Sequence, residues 1–132
     1  MSNLEKQIDF WKKSAENDWK TARILFESKR YDACLFFCHL TLEKCLKGLV
    51  TEKTKKAVPY THDLEKLAIV AGLKFSDVQF ENLRVITKFN ISARYENIKF
   101  DFYKTCTASY ANDYLDISHK LFLWLKKQYR KK

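Results

Sequence analysis

Glu43 and Lys47 stand four residues apart in Leu42-Glu-Lys-Cys-Leu-Lys47. On a helix that spacing puts them on one face and within reach of each other. His62 and Asp63 follow Thr61 and open a further helical segment, and a helix N-terminus is a place where an anion can rest. Arg94 and Tyr95 come after another helix. Arginine offers a forked donor suited to phosphate, and an imidazole that changes charge near neutrality serves as acid or base. Glu43, Lys47, His62, Asp63, Arg94 and Tyr95 therefore form the candidate binding set for a phosphate-bearing ligand. His62 and Arg94 are the candidates for cleaving a phosphodiester in RNA, with His62 moving the proton and Arg94 stabilising the phosphorane charge. Each residue also has a plain structural role open to it. Glu43 and Lys47 can simply pair, and Asp63 in a first helical turn suits the helix dipole. Periodicity alone does not bring the six together.

The usual signatures of other chemistry are missing. The chain has no Gly-rich phosphate loop, no Gly-x-Ser-x-Gly elbow, no His-Glu-x-x-His and no dense acidic cluster with metal spacing. No metal and no cofactor are expected. Three of the four cysteines, Cys34, Cys38 and Cys45, fall within a quarter turn of the stripe Leu35, Leu42 and Leu49. With Cys106 they read as buried free thiols acting as small hydrophobes, which implies a reducing cytosol. The N-terminus is polar and has no signal-peptide pattern, and no apolar run approaches membrane-spanning length. The expected location is cytoplasmic, with no membrane contact.

The elements that must position these residues are helices. The 132 residues contain two glycines and one proline, too few for the tight turns of a sheet-rich fold. An apolar content of 46% supplies one core, so the whole chain, 1–132, reads as a single domain. A net charge of +9 favours polyanionic partners.

Helix one is expected over Asn3–Glu27, with Ser2 and Glu5 at capping-box spacing. Its core face is Leu4, Ile8, Trp11, Ala15, Ala22 and Phe26. Asp18 falls on that face, either as a hydrogen-bonded core residue or as a partner for a cation elsewhere. Helix two, Tyr31–Val50, is apolar nearly all round for three turns. Such a helix must be covered on more than one side, here by the bundle and by a second subunit. Thr51–Tyr60 is a basic loop. Helix three spans His62–Ala71, capped by Thr61 and stopped by Gly72. Helix four spans Asp77–Ser92, with Ser76 and Gln79 as a capping box and Phe75 and Phe80 as its staple. Arg94–Lys104 is read as a loop that interleaves aromatics with cations; such a mixture can stack bases and neutralise phosphates, and it can equally anchor the loop to the core, the role expected of Phe100 and Phe102 as buried residues. Helix five, Lys104–Gln128, carries Ala108, Ala111, Leu115, Phe122 and Leu125 inward, with His119 on the same face as a core residue, and ends in a cationic tail. The fold class is all-α: an antiparallel up-and-down four-helix bundle with an additional short helix.

Trp19-x-x-Ala-Arg-Ile-Leu25, Tyr31-Asp-Ala-Cys-Leu-Phe-Phe-Cys-His-Leu-Thr-Leu-Glu-Lys-Cys-Leu-Lys47, Pro59-Tyr-Thr-His-Asp-Leu-x-x-Leu67 and Ala93-Arg-Tyr95, in that order and at that separation, resemble the HEPN (higher eukaryotes and prokaryotes nucleotide-binding) domain. The resemblance covers nearly the whole chain. It implies a helical bundle that forms a homodimer and binds a nucleotide or RNA, often beside a minimal nucleotidyltransferase as a toxin–antitoxin pair. Some relatives are metal-independent ribonuclease toxins and others are inactive interaction modules. Active HEPN ribonucleases carry an Arg followed by a His after four to six residues. No Arg here has that arrangement, since eight residues separate Arg30 from His39 and no His closely follows Arg94. Glu96 also stands where relatives often have proline. The expectation is therefore a binding protein rather than an enzyme, with a nonlocal His62–Arg94 pair as the one route to catalysis.

Overall fold

The structure is a computed structural model; it describes residues 1–92 and 96–130, without the side chains of residues 96 and 97. Six α-helices follow one another among these residues: α1 Asn3–Glu27, α2 Tyr31–Thr54, α3 Leu64–Ala71, α4 Asp77–Ser92, α5 Glu96–Thr105 and α6 Ala108–Lys126.

Their ends follow local chemistry. The Ser2 hydroxyl accepts from the Glu5 backbone N–H at 3.1 Å and caps α1. At the other end Arg30 N–H bonds to Leu25 O and Lys29 N–H to Phe26 O, with Lys29 at φ 62°. This is a Schellman turn whose left-handed position is filled by lysine rather than glycine. The turn is short, so α2 returns antiparallel along α1. Ser76 and Gln79 form a complete capping box, Ser76 N–H to Gln79 Oε1 at 2.8 Å and Gln79 N–H to Ser76 Oγ at 3.1 Å. The Phe75 and Phe80 rings close the staple at 5.2 Å.

Helix α2 runs through the middle of the bundle and touches α1, α3, α4, α5 and α6. Thirteen of its 24 residues are buried within this one chain, so the bundle alone supplies much of the two-sided cover that its sequence requires. Phe36, Phe37 and Leu40 keep partial exposure. The buried threonines of α2 satisfy their hydroxyls on the preceding turn, Thr41 on Phe37 O and Thr51 on Lys47 O, which lets polar residues sit in a core helix at little cost. All four cysteines are buried free thiols, as expected from the sequence; burial pushes Cys45 and Cys106 up to about 12. No helix among the described residues is long and apolar enough to cross a membrane.

Several boundaries differ from the sequence expectation. Helix α2 continues one turn past Val50 to Thr54 and stops where Lys55 turns left-handed at φ 57°. Helix α3 starts at Leu64, because its cap is Asp63 and not Thr61: Asp63 Oδ1 accepts from the N–H groups of Glu65 and Lys66 at 3.0 and 3.3 Å. The expected loop at 94–104 is helical from Glu96. Phe102 and Cys106 are buried at helical spacing, and Phe102 packs on Phe89 with ring centroids 5.5 Å apart. Phe100, expected inside, is 60% exposed, because an i, i+2 pair cannot share one helical face. The last helix starts only at Ala108, capped by the Thr107 hydroxyl. Ala108 is exposed, and His119 is half-buried and stacked on Trp19, with rings 4.9 Å apart and 12° from parallel.

Candidate functional site

Three residues of α2 spaced by one turn, His39, Glu43 and Lys47, meet the segment that leads into α3. The carboxylate of Glu43 is buried and doubly engaged. Lys47 Nζ donates to its Oε2 at 2.9 Å and His62 Nδ1 donates to its Oε1 at 2.8 Å. Behind them the His39 ring, fully buried, donates from Nε2 to the backbone carbonyl of His62 at 2.8 Å. His62 is thus held twice, by its main chain on His39 and by its ring on Glu43.

The surroundings keep that segment in place. Asp63 caps α3, and Leu64 N–H donates to Thr87 Oγ1 of α4 at 3.1 Å. Glu65 of α3 takes a forked pair of hydrogen bonds from Arg84 of α4 at 3.1 and 2.6 Å. Lys47 lies over the Trp11 ring at 5.5 Å. The Tyr60 ring, 98% exposed, stands 6.1 Å from that of His62.

The electrostatics define the proton positions. Burial pushes the Glu43 carboxyl up, but the hydrogen bonds from Lys47 and His62 outweigh it and hold the group below the usual carboxylate range. Glu43 is therefore ionised at neutral pH and can only accept, so the His62 proton on this side sits on Nδ1. The Nε2 of His62 has no hydrogen-bond partner among the described residues, and the side chain is 37% exposed. For His39, burial drives the imidazole below its ordinary value. It is neutral, with its proton on Nε2 where the carbonyl requires it. Its Nδ1 is buried and has no hydrogen-bond partner among the described residues.

Of the six residues singled out by sequence, three come together: Glu43, Lys47 and His62. Asp63 is next in the chain but its carboxylate serves as the α3 cap. Arg94 and Tyr95 lie outside the described residues. His39 was missed, although its place one turn before Glu43 and two before Lys47 is visible in the chain. No group of His, Cys, Asp and Glu among the described residues is arranged to hold a metal ion.

The molecule is thus an all-helical bundle with a carboxylate–imidazole pair set into its central helix. The chain belongs to the HEPN domain family, whose model matches residues 8–128. Its fold is similar to that of TT1696 from Thermus thermophilus, with a TM-score of 0.77 and 20% identity over 93% of this chain and 98% of that one. It is also similar to ST0689, an archaeal HEPN homologue, with a TM-score of 0.70 and 20% identity over 97% of this chain and 98% of that one. No curated protein matches the chain.

Proposed function

We propose that this protein is a binding module for a phosphate-bearing ligand, a nucleotide or RNA, with His62 as its directed contact. One observation carries the reading: the buried carboxylate of Glu43 grips one nitrogen of His62 and leaves the other at the surface. A ring fixed in this way presents Nε2 to a ligand with little loss of side-chain entropy; the neutral ring accepts there from a ribose hydroxyl, and the protonated ring donates to a phosphate oxygen. Lys47 keeps Glu43 ionised, the exposed Tyr60 ring offers a stacking face, and the net charge of +9 attracts an anion. Arg94 and Tyr95 are proposed to complete the site. In this reading the module works in the cytoplasm as a homodimer, with the half-exposed Phe37 and Leu40 of α2 near its seam, beside a minimal nucleotidyltransferase in a toxin–antitoxin-like pair.

Calorimetric titration with nucleotides and short RNAs tests the binding reading. Heat with the wild type that His62→Gln abolishes supports it; no heat with any of these ligands overturns it. Chain mass in dilute solution tests the dimer, and a neighbouring nucleotidyltransferase gene tests the partner.

The same pair favours a second reading. An imidazole whose Nδ1–H is held by a carboxylate is set up to take a proton at Nε2, which is what a metal-independent ribonuclease needs to activate a 2′-hydroxyl. Cleavage of RNA in the presence of chelator, lost in His62→Gln, would establish it; RNA left intact would reject it.

A further inference from the structure

A hollow of about 580 Å³ opens where the α1–α2 turn faces α5, lined by Lys29, Arg30, Asp32, Phe36, Lys99 and Tyr103 among others. Three cations and one carboxylate surround it. None of the three cations belongs to an ion pair among the described residues. Several lysines elsewhere are tied down, among them Lys13 to Asp9, Lys44 to Asp18, Lys47 to Glu43 and Lys126 to Glu16. The groove between α1 and α6 is also lysine-lined, but Asp9 and Glu16 stand in its wall and already neutralise two of its cations.

The walls of the hollow are aromatic. Phe102 is packed into the core, whereas Tyr103 is 65% exposed and Phe36 is half-buried. Unpaired cations beside open aromatic faces suit a ligand that alternates charge with flat rings. The cations neutralise phosphates and the rings stack bases. A bare anion would leave the rings unused, and an apolar ligand would leave the cations unmatched.

The placement links the hollow to His62. Phe36 and Glu43 are seven residues apart on α2, which is about 20° short of two full turns and roughly 10 Å along the axis. They lie on the same face of α2.

We infer that Lys29, Arg30, Phe36, Lys99 and Tyr103 form a subsite for single-stranded nucleic acid, continuous along one face of α2 with the His62 site. The inference rests on the His62 reading only for that continuity. The ligand of the combined surface is an oligonucleotide and not a mononucleotide.

Anisotropy with fluorescent six-residue RNA and DNA strands tests this. The triple variant Lys29→Ser/Arg30→Ser/Lys99→Ser should bind at least tenfold more weakly, and its plot of log K against log salt should become shallower by about 2. Tyr103→Ser should weaken binding about tenfold with little change in that slope. The control Lys20→Ser/Lys74→Ser/Lys127→Ser removes equal charge at exposed positions outside the hollow, none of them ion-paired among the described residues, and should lose much less. All five lysines and Arg30 are exposed, and circular dichroism checks that each variant folds. Equal loss in both triple variants, or no oligonucleotide binding by the wild type, overturns the subsite. The RNA and DNA arms show which strand it takes. If His62→Gln abolishes mononucleotide binding while the hollow variants leave oligonucleotide affinity unchanged, the subsite fails and the His62 reading stands. If the hollow variants matter and His62→Gln has no effect, the reverse holds.

Discussion

Helix α2 carries two buried acid–lysine pairs that look alike and do different work. Near its middle Lys44 reaches Asp18 of α1 at 2.7 Å, and the Lys44 side chain keeps 25% of its exposure. One residue earlier in the chain, Glu43 holds Lys47 at 2.9 Å and also the ring of His62 at 2.8 Å. The first pair closes on itself as a brace between two helices. The second leaves a valence over, because an imidazole has two nitrogens and the carboxylate uses only one. A buried carboxylate alone is therefore weak evidence of a site. What distinguishes Glu43 is that it orients a group whose far side meets solvent.

The comparison can be broken by stability measurements. Glu43→Ala leaves the Lys47 ammonium without its counter-charge and the His62 Nδ1–H without its acceptor, and should cost about 3 kcal/mol in urea unfolding. Asp18→Ala leaves a lysine that can turn to water, and should cost about 1 kcal/mol. Equal losses would show the two pairs to be equivalent.

Acid should act on the second pair. His39 has a depressed value in the folded state, so the unfolded chain binds the extra proton first as pH falls through the ordinary histidine range. Stability is fully present above that range and declines below it. Glu43, also depressed, adds a further loss below the ordinary carboxylate range. Thermal midpoints recorded between pH 7.5 and pH 5 should fall, and should fall less in His39→Gln, which keeps a donor for the His62 carbonyl. An identical slope in wild type and variant would remove His39 from the account.

The proton on His62 gives a readout that needs no ligand. Nitrogen-15 shifts should place it on Nδ1 in the wild type. Glu43→Gln, with a neutral acceptor, should weaken that preference, and Asp18→Asn should leave it unchanged.

The smallest effect concerns the chain end. Tyr129 is buried and its hydroxyl donates to Cys45 O at 2.6 Å. Gly48 is the reason it fits, since a Cβ there would collide with the tyrosine oxygen. Tyr129→Phe should cost about 1 kcal/mol and leave His62 untouched; a shift in the His62 resonances would tie the tail to the site.

Much of the fold was legible in the chain because helices are written locally. Ser2 with Glu5 and Ser76 with Gln79 announced their caps, and the bounds of α1 and α4 agree with the sequence reading. Where the reading missed, the deciding contact was distant. The Phe102 pattern became a helix because Phe89 of α4 receives that ring. Thr61 and Asp63 were both plausible caps, and only the backbone path selects between them. In the site, Glu43 with Lys47 was visible as an i, i+4 pair. The link to His62, nineteen residues on, was not, and neither was the part played by His39.

Local spacing and composition, then, determined a helical chain with Glu43 and Lys47 on one face of α2, because capping, periodicity and turn chemistry act over a few residues. Which nitrogen of His62 is held, which lysines are neutralised and which hollow keeps its cations unpaired were decided by tertiary structure. Hydrogen bonds and charge pairing depend on distances between side chains, and those exist only once the helices have packed.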